Sequence, residues 1–140
     1  MKALVIDDER LARTELIRLL EPFKEIEIVG EAVNADDAHN KISELNPDVI
    51  FLDIQMPGKT GFELLEELDS VPKVIFTTAY DEYALKAFEF NALDYLLKPI
   101  EPARLEESIK KLIEGKRKDR TQDLSHETLT AEDQVFVKDG

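Results

Sequence analysis

Acidic side chains stand at two points of the sequence where an uninterrupted apolar run ends. Asp7, Asp8 and Glu9 follow the first such run, and Asp53 follows a second run at residues 49–52. Carboxylates that lie close together repel one another unless a cation neutralises them. A hard divalent cation such as Mg²⁺ prefers oxygen ligands of this kind. If the two points meet in the folded chain, the sequence predicts an acidic magnesium site.

Two further polar side chains follow other predicted strands and could complete this site. Thr78 comes after the apolar run at residues 74–76, and Lys98 comes after the short strand predicted at residues 93–97. A hydroxyl, an ammonium group and a magnesium ion together would stabilise the oxygens of a phosphoryl group. The residue types therefore favour phosphoryl chemistry.

The nucleophile for this chemistry is predicted to be a carboxylate. The sequence shows no Ser-His-Asp arrangement, and both histidines, His39 and His126, fall outside the candidate site. Without a base to activate water, a carboxylate can itself attack phosphorus and form an aspartyl phosphate. Asp53 stands alone at the end of its apolar run, so we nominate it as the acceptor.

Each of these residues also has a simpler interpretation. Asp53 could cap the turn that follows it, which is a common role for aspartate. Thr78 could merely end a strand, and Lys98, which precedes a proline, could be an exposed surface lysine. Glu9 could be a first-turn residue of a helix, and we keep it as a secondary acidic contact. Only the fold decides between these interpretations.

The apolar pattern predicts five strands, each followed by a helix. Apolar runs without alternation are typical of strands buried on both faces of a parallel sheet. The alternation predicts an α/β fold with a five-stranded parallel sheet, doubly wound (βα)5, in the flavodoxin-like order 2-1-3-4-5. The predicted strands cover residues 3–6, 25–32, 49–53, 74–76 and 93–97, and the fourth helix covers residues 82–90. Because the carboxyl ends of parallel strands lie on one edge, this fold would bring the candidate residues together.

Composition and charge indicate a soluble protein without membrane contact. The 140 residues fit one domain of ordinary size with a short tail, and 43% hydrophobic residues suffice for a core. No apolar run approaches the roughly 18 residues of a membrane span, and no signal peptide opens the chain, so we expect a cytoplasmic location. The net charge of −13 argues against nucleic-acid binding by this part of the chain itself.

We predict a domain over residues 1–118, a flexible linker over residues 119–133 and the start of a second domain at residues 134–140. Apolar periodicity is lost after Gly115, and residues 121–133 show none, which is typical of flexible segments. The last segment has the pattern of a strand, and a strand must pair with another strand to be stable. The sequence therefore ends where a C-terminal domain would begin.

Four motifs stand in order along the chain: Asp7-Asp8, the turn from Asp53 to Gly58, Thr78-Ala79, and Tyr95 followed by Lys98-Pro99. In these motifs the sequence resembles the receiver domains of two-component response regulators, over about residues 2–118. Residues 78–88 and 91–99 are similar to the LytR/AlgR subfamily, in which the receiver is joined to a LytTR DNA-binding domain. Residues 135–140 resemble the first strand of that LytTR domain.

The resemblance implies a role for each matched residue of the acidic site. Asp53 would accept a phosphoryl group from a sensor histidine kinase in a magnesium-dependent reaction. Asp8, Asp53 and the backbone carbonyl of Gln55 would hold Mg²⁺, while Asp7 would act through a bound water. Lys98 would pair with the phosphoryl group. The protein would be a phosphorelay acceptor, and at most it would catalyse its own phosphorylation and dephosphorylation.

The resemblance also implies a switch that carries the signal away from the site. Thr78 would move to bond the phosphoryl group, and Tyr95, which could otherwise be a plain core aromatic, would swing inward behind it. This movement would alter the face of the fourth helix, fifth strand and fifth helix, and so control homodimerisation and transcription through the DNA-binding domain. The Lys98-Pro99 bond is cis in the family, and Gln55 and Tyr80 occupy positions that tune the phosphate lifetime.

Three alternative functions fit the sequence less well. A phosphatase of the haloacid dehalogenase kind needs a second aspartate two residues after the nucleophile, where this chain has Gln55. A flavin-binding module needs a glycine- and hydroxyl-rich phosphate loop after the first strand, where the chain instead has acidic residues 7–9. A receiver that works without phosphorylation is disfavoured because no residue of the acidic site is missing.

Overall fold

Five strands and five helices alternate along residues 1–124, the part of the chain that this computed structural model describes, with side chains described through residue 116. The strands form one sheet in the order β2-β1-β3-β4-β5, and all neighbouring strands are parallel. The predicted doubly wound α/β fold with strand order 2-1-3-4-5 is therefore confirmed. In chain order the elements are β1 (Lys2–Ile6), α1 (Arg10–Leu20), β2 (Glu27–Ala32), α2 (Ala35–Leu45), β3 (Val49–Asp53), α3 (Gly61–Glu67), β4 (Lys73–Thr78), α4 (Ala84–Glu89), β5 (Asp94–Leu97) and α5 (Pro102–Leu124).

The sheet separates two layers of apolar side chains. Successive residues of a strand point to opposite faces, and in β3 Ile50 and Leu52 pack on one side while Val49 and Phe51 pack on the other. Helices α2, α3 and α4 cover the first side, and α1 and α5 cover the second. Every residue of β3 is buried, which is why its sequence lacks alternation.

Polar caps fix where the helices beside the site begin. The Asn34 side chain accepts a hydrogen bond from the Asp37 amide at the start of α2. Thr60 and Glu63 form a reciprocal capping box at the start of α3. Such caps satisfy amide groups that have no partner inside the helix.

Several predicted boundaries differ from the structure. β2 begins at Glu27 and not at residue 25, because turn bonds link Phe23 to Leu20 and Ile26 to Phe23. β4 runs to Thr78, so this threonine is the last residue of the strand. α4 is shorter than the predicted 82–90 and covers only Ala84–Glu89.

Helix α5 extends beyond the domain end that the sequence predicts. It continues to Leu124, so residues 119–124, which the sequence assigns to the linker, are helical, while the division into domains and linker stays a prediction. This stretch contains arginine, glutamine and leucine, which are good helix formers, and a helix that is already anchored by packing can continue through such residues. Residues 125–133 and the predicted strand at 134–140 lie outside the described part of the chain. None of the helices in the described part has the length and apolar composition needed to cross a membrane.

Candidate functional site

Three carboxylates meet at the carboxyl edge of the sheet. Asp7 and Asp8 directly follow β1, and Asp53 is the last residue of β3. Each offers an oxygen within 4.8 Å of the others. Asp7 and Asp53 are only 3% and 4% exposed, while Asp8 is more exposed. The structure thus brings together the acidic residues that the sequence places after two separate strands.

Lys98 reaches into this cluster from the end of β5. Its Nζ lies 2.7 Å from Asp7 Oδ2 and 3.6 Å from Asp53 Oδ2. The Lys98 amide also donates a hydrogen bond to the Thr78 carbonyl over 2.7 Å, which continues the pairing of β4 with β5. The Lys98–Pro99 peptide bond is cis. The ammonium group therefore contacts both buried carboxylates.

The cluster carries more negative charge than Lys98 neutralises. Burial, followed by the charge of Asp7, raises the pKa of Asp53 from 3.8 to about 7, although Lys98 opposes this shift. Burial would lower the pKa of Lys98, but the hydrogen bond that its ammonium group donates to Asp7 and the charge of Asp53 outweigh this effect, so the pKa is raised. An all-oxygen set of ligands with surplus negative charge suits a hard divalent cation. The residues present therefore fit Mg²⁺.

The loop after Asp53 packs closely against the backbone of this residue. A Cβ on Gly61 would lie 2.5 Å from the Asp53 carbonyl oxygen, which is too close for any side chain. The Gly61 amide donates to the Ile54 carbonyl over 2.9 Å, and Gly58 in the same loop has φ of +86°, a conformation that favours glycine. Sequence reasoning missed Gly61, and its one signal is a glycine directly after the helix cap.

Thr78 and Tyr95 both bind the main chain of Tyr80. Thr78 is fully buried, and its Oγ1 accepts a hydrogen bond from the Tyr80 amide over 3.3 Å. The Tyr95 hydroxyl donates to the Tyr80 carbonyl. The two predicted switch residues are therefore joined through one residue of the loop between β4 and α4. Sequence reasoning did not identify this connection, because main-chain partners leave no pattern in the sequence.

Gln55 and Glu9 lie at the exposed rim of the site. The Gln55 side chain donates a hydrogen bond to the Tyr83 hydroxyl, just before α4. Glu9 is exposed, and its amide donates to Asp7 Oδ1 over 2.9 Å. Among the described residues, the acidic group with metal-binding geometry comprises Asp7, Asp8 and Asp53 without Glu9.

His39 lies away from this edge of the sheet. It lines a groove with Asn46, Pro47 and Pro72, which stand at the amino ends of β3 and β4. His126 lies outside the described residues. The position of His39 agrees with the prediction that it takes no part in the site.

Comparisons with known proteins point to one family. The family model of the response regulator receiver domain matches residues 3–110. The chain is 49% identical over 140 residues to the transcriptional regulatory protein BtsR of Salmonella typhi, covering 99% of this chain and 56% of that protein. It is 49% identical over 114 residues to the sensory transduction protein LytT of Bacillus cereus, covering 79% of this chain and 46% of that protein. The chain spans about half the length of the curated relatives it matches.

A solved structure gives the same result for the fold. The response regulatory domain of protein mrkE from Klebsiella pneumoniae aligns with a TM-score of 0.75 and 35% sequence identity. The alignment covers 82% of this chain and 97% of that one.

Proposed function

The chain belongs to the response regulator receiver domain family, and from this premise we propose that it is the phosphoacceptor of a two-component system. Asp53 takes a phosphoryl group from a sensor histidine kinase in a magnesium-dependent reaction. The chain acts as a phosphorelay acceptor whose own catalysis is limited to its phosphorylation and dephosphorylation. The observation that carries this proposal is the buried pair of Asp7 and Asp53 with Lys98 between them.

The proposed reaction is a direct transfer to a carboxylate. An Asp53 carboxylate oxygen attacks phosphorus, the bond between phosphorus and the donor's histidine nitrogen breaks, and the electron pair of that bond stays on the imidazole. Lys98 already lies within 3.6 Å of Asp53 Oδ2, so its ammonium group can pair with the incoming phosphoryl oxygens. Attack requires the ionised form of Asp53, which its raised pKa of about 7 disfavours in the metal-free chain.

A magnesium ion would supply the positive charge that Lys98 alone does not provide. Asp8, Asp53 and the Gln55 backbone carbonyl would hold the ion, with Asp7 acting through a water. When bound, it would neutralise charge on the carboxylates and on the phosphoryl oxygens. The charge balance of the site supports this assignment, because three carboxylates face one ammonium group.

Thr78 and Tyr95 form the switch in this proposal. A Thr78 hydroxyl that turns to the phosphoryl group gives up its bond to the Tyr80 amide, and Tyr95 holds the carbonyl of the same residue. A shift of Tyr80 therefore reaches α4 and β5. The changed face of α4, β5 and α5 promotes homodimerisation, which its exposed apolar side chains support: Leu85 is 81%, Phe88 80% and Leu97 46% exposed.

The output in this proposal is transcription regulation in the cytoplasm by a LytTR DNA-binding domain. The curated relatives are about twice as long as this chain, and one of them is named a transcriptional regulatory protein. The net charge of −13 suits a receiver that leaves DNA contacts to another domain.

The test is phosphoryl uptake from acetyl phosphate, followed by intact-mass measurement. We expect the wild-type protein with Mg²⁺ to gain one phosphoryl group, and we expect no gain for Asp53→Asn or for wild type in EDTA. Asp69→Asn is the matched control, since this aspartate is exposed and lies just before β4 at the opposite edge of the sheet. Wild type that gains no phosphoryl group in the presence of Mg²⁺ would contradict the proposed function.

A further inference from the structure

Arg13 is a largely buried cation beside the acidic site that the proposed reaction does not use. It lies in the first turns of α1, and its side chain is only 12% exposed. Its Nη1 donates to the main-chain carbonyl of Asp7 over 2.9 Å, and its Nε donates to Glu31 Oε1 over 2.9 Å. An arginine at this position of an amphipathic helix would ordinarily be exposed to solvent, so its burial needs a reason.

The contact with Asp7 fixes the peptide unit that joins the first two acidic residues. The Asp7 carbonyl and the Asp8 amide belong to one planar group, so holding the carbonyl sets the direction in which the chain enters Asp8. Residues 7–9 belong to no helix or strand. Their conformation therefore depends on individual hydrogen bonds.

β2 holds Asp7 from both sides through two neighbouring residues. The Asp7 amide donates to the Ala32 carbonyl over 3.0 Å. The Asp7 carbonyl is held by Arg13, whose guanidinium is oriented by Glu31. Only arginine has separate donors in a rigid planar group that can serve two acceptors in this way. Lys98, by contrast, donates its hydrogen bond to the side-chain carboxylate of Asp7 and not to the main chain.

We propose that Arg13 is a positioning residue for the metal side of the acidic site. By fixing the peptide unit between Asp7 and Asp8, it sets the affinity for Mg²⁺ without contacting the phosphoryl group. This inference rests on the proposed function, because it takes these aspartates as the metal-binding residues. Loss of a residue that orients metal ligands typically costs about tenfold or more in metal affinity, so we expect at least about that loss for Arg13→Ala.

The experiment measures Mg²⁺ binding to metal-free protein by isothermal titration calorimetry. Arg18→Ala is the matched control, since it removes the same charge from the same helix but comes from an exposed pair with Glu15, with Arg18 66% exposed. A second readout is the amide resonance of Glu9, which donates to Asp7 Oδ1. We expect this resonance to shift in metal-free Arg13→Ala and to stay in place in Arg18→Ala.

Two results together support the inference. The dissociation constant for Mg²⁺ rises about tenfold in Arg13→Ala and less than about twofold in Arg18→Ala. The phosphorylation rate at saturating Mg²⁺ stays within about twofold of wild type, as expected for a residue that acts through metal affinity. If Arg13→Ala does not fold, Arg13→Lys against Arg18→Lys replaces it, because lysine keeps the charge but has a single nitrogen in place of the separate Nε and Nη1 donors of the rigid guanidinium.

An equal loss of affinity in the Arg13 and Arg18 variants would overturn the inference, since charge alone would then explain it. Unchanged affinity in the Arg13 variant would overturn it as well. Failure of the proposed function has a different signature, in which wild type binds Mg²⁺ but takes no phosphoryl group. The calorimetric comparison therefore tests the role of Arg13 in Mg²⁺ affinity independently of phosphoryl uptake.

Discussion

Asp53 carries a buried negative charge beside Asp7, and we expect Asp53→Asn to stabilise the metal-free protein above about pH 7. Burial and the charge of Asp7 raise the pKa of Asp53 from 3.8 to about 7 in the folded chain. The folded state therefore binds this proton more tightly than the unfolded state, and ionisation destabilises the fold. The penalty is absent below about pH 4, grows as the pH rises and is complete above about pH 7.

The size of the effect follows from the pKa difference. A shift from 3.8 to about 7 corresponds to roughly 4 kcal/mol, at about 1.36 kcal/mol per pKa unit. The site lies at an open edge of the sheet, where solvent and ions screen the charge, so we expect the free energy of unfolding to rise by about 1–2 kcal/mol. Asparagine has nearly the same shape as aspartate and leaves no cavity.

Urea unfolding in EDTA, at about pH 8 and about pH 5, measures this difference. We expect the gain to be smaller at the lower pH than at the higher pH, because a larger fraction of the folded chains then carries a protonated Asp53. The exposed Asp69→Asn serves as the control and should change little at either pH. An Asp53→Asn variant that is less stable than wild type at the higher pH, or a gain independent of pH, would refute the reasoning.

Two further perturbations test the polar contacts that join β5 to α5 and the proposed dimer face. Arg104 and Ser108 hold the buried Asp94 carboxylate and, outweighing its burial, keep its pKa well below the usual range. We therefore expect Asp94→Asn to lose about 2 kcal/mol of unfolding free energy near neutral pH. The stability difference between wild type and variant should fade only below about pH 4. A loss under about 0.5 kcal/mol in urea unfolding would contradict a stabilising role for these contacts of Asp94. With beryllofluoride and Mg²⁺, light scattering should show a doubled mass for wild type but not for Phe88→Ser. The control Leu11→Ser, at a leucine of α1 that is 83% exposed, should also show the doubled mass. An unchanged wild-type mass at high concentration would count against the dimer.

Much of the fold follows from the sequence because its central strands are buried on both faces. β1, β3 and β4 each contain a buried apolar run, and capping side chains of Asn34 and Thr60 stand at the starts of α2 and α3. Once the sheet is parallel, Asp7 and Asp53 must meet at one edge. The geometry of the acidic site could therefore be anticipated.

Other features depend on contacts that a sequence does not display. Arg13 binds a main-chain carbonyl, Tyr80 is held by its own amide and carbonyl, and Gly61 is required by the approach of another backbone. Each of these contacts involves a main-chain group, which every residue has, so no pattern of residue types in the sequence marks it. The end of α5 could not be predicted, because residues 119–124 lack an apolar stripe. In the structure they continue a helix whose earlier residues are packed against the sheet.

The central claim is that Asp53 is the phosphoacceptor, and borohydride reduction tests it most directly. Borohydride converts an aspartyl phosphate into homoserine, and the change stays in the peptide chain. The tryptic peptide between Lys41 and Lys59 contains both Asp53 and the exposed Asp48, so fragment masses distinguish the two positions. After treatment with acetyl phosphate and Mg²⁺, we predict homoserine at position 53 and intact aspartate at position 48. Homoserine at any other aspartate, with Asp53 unmodified, would contradict the account.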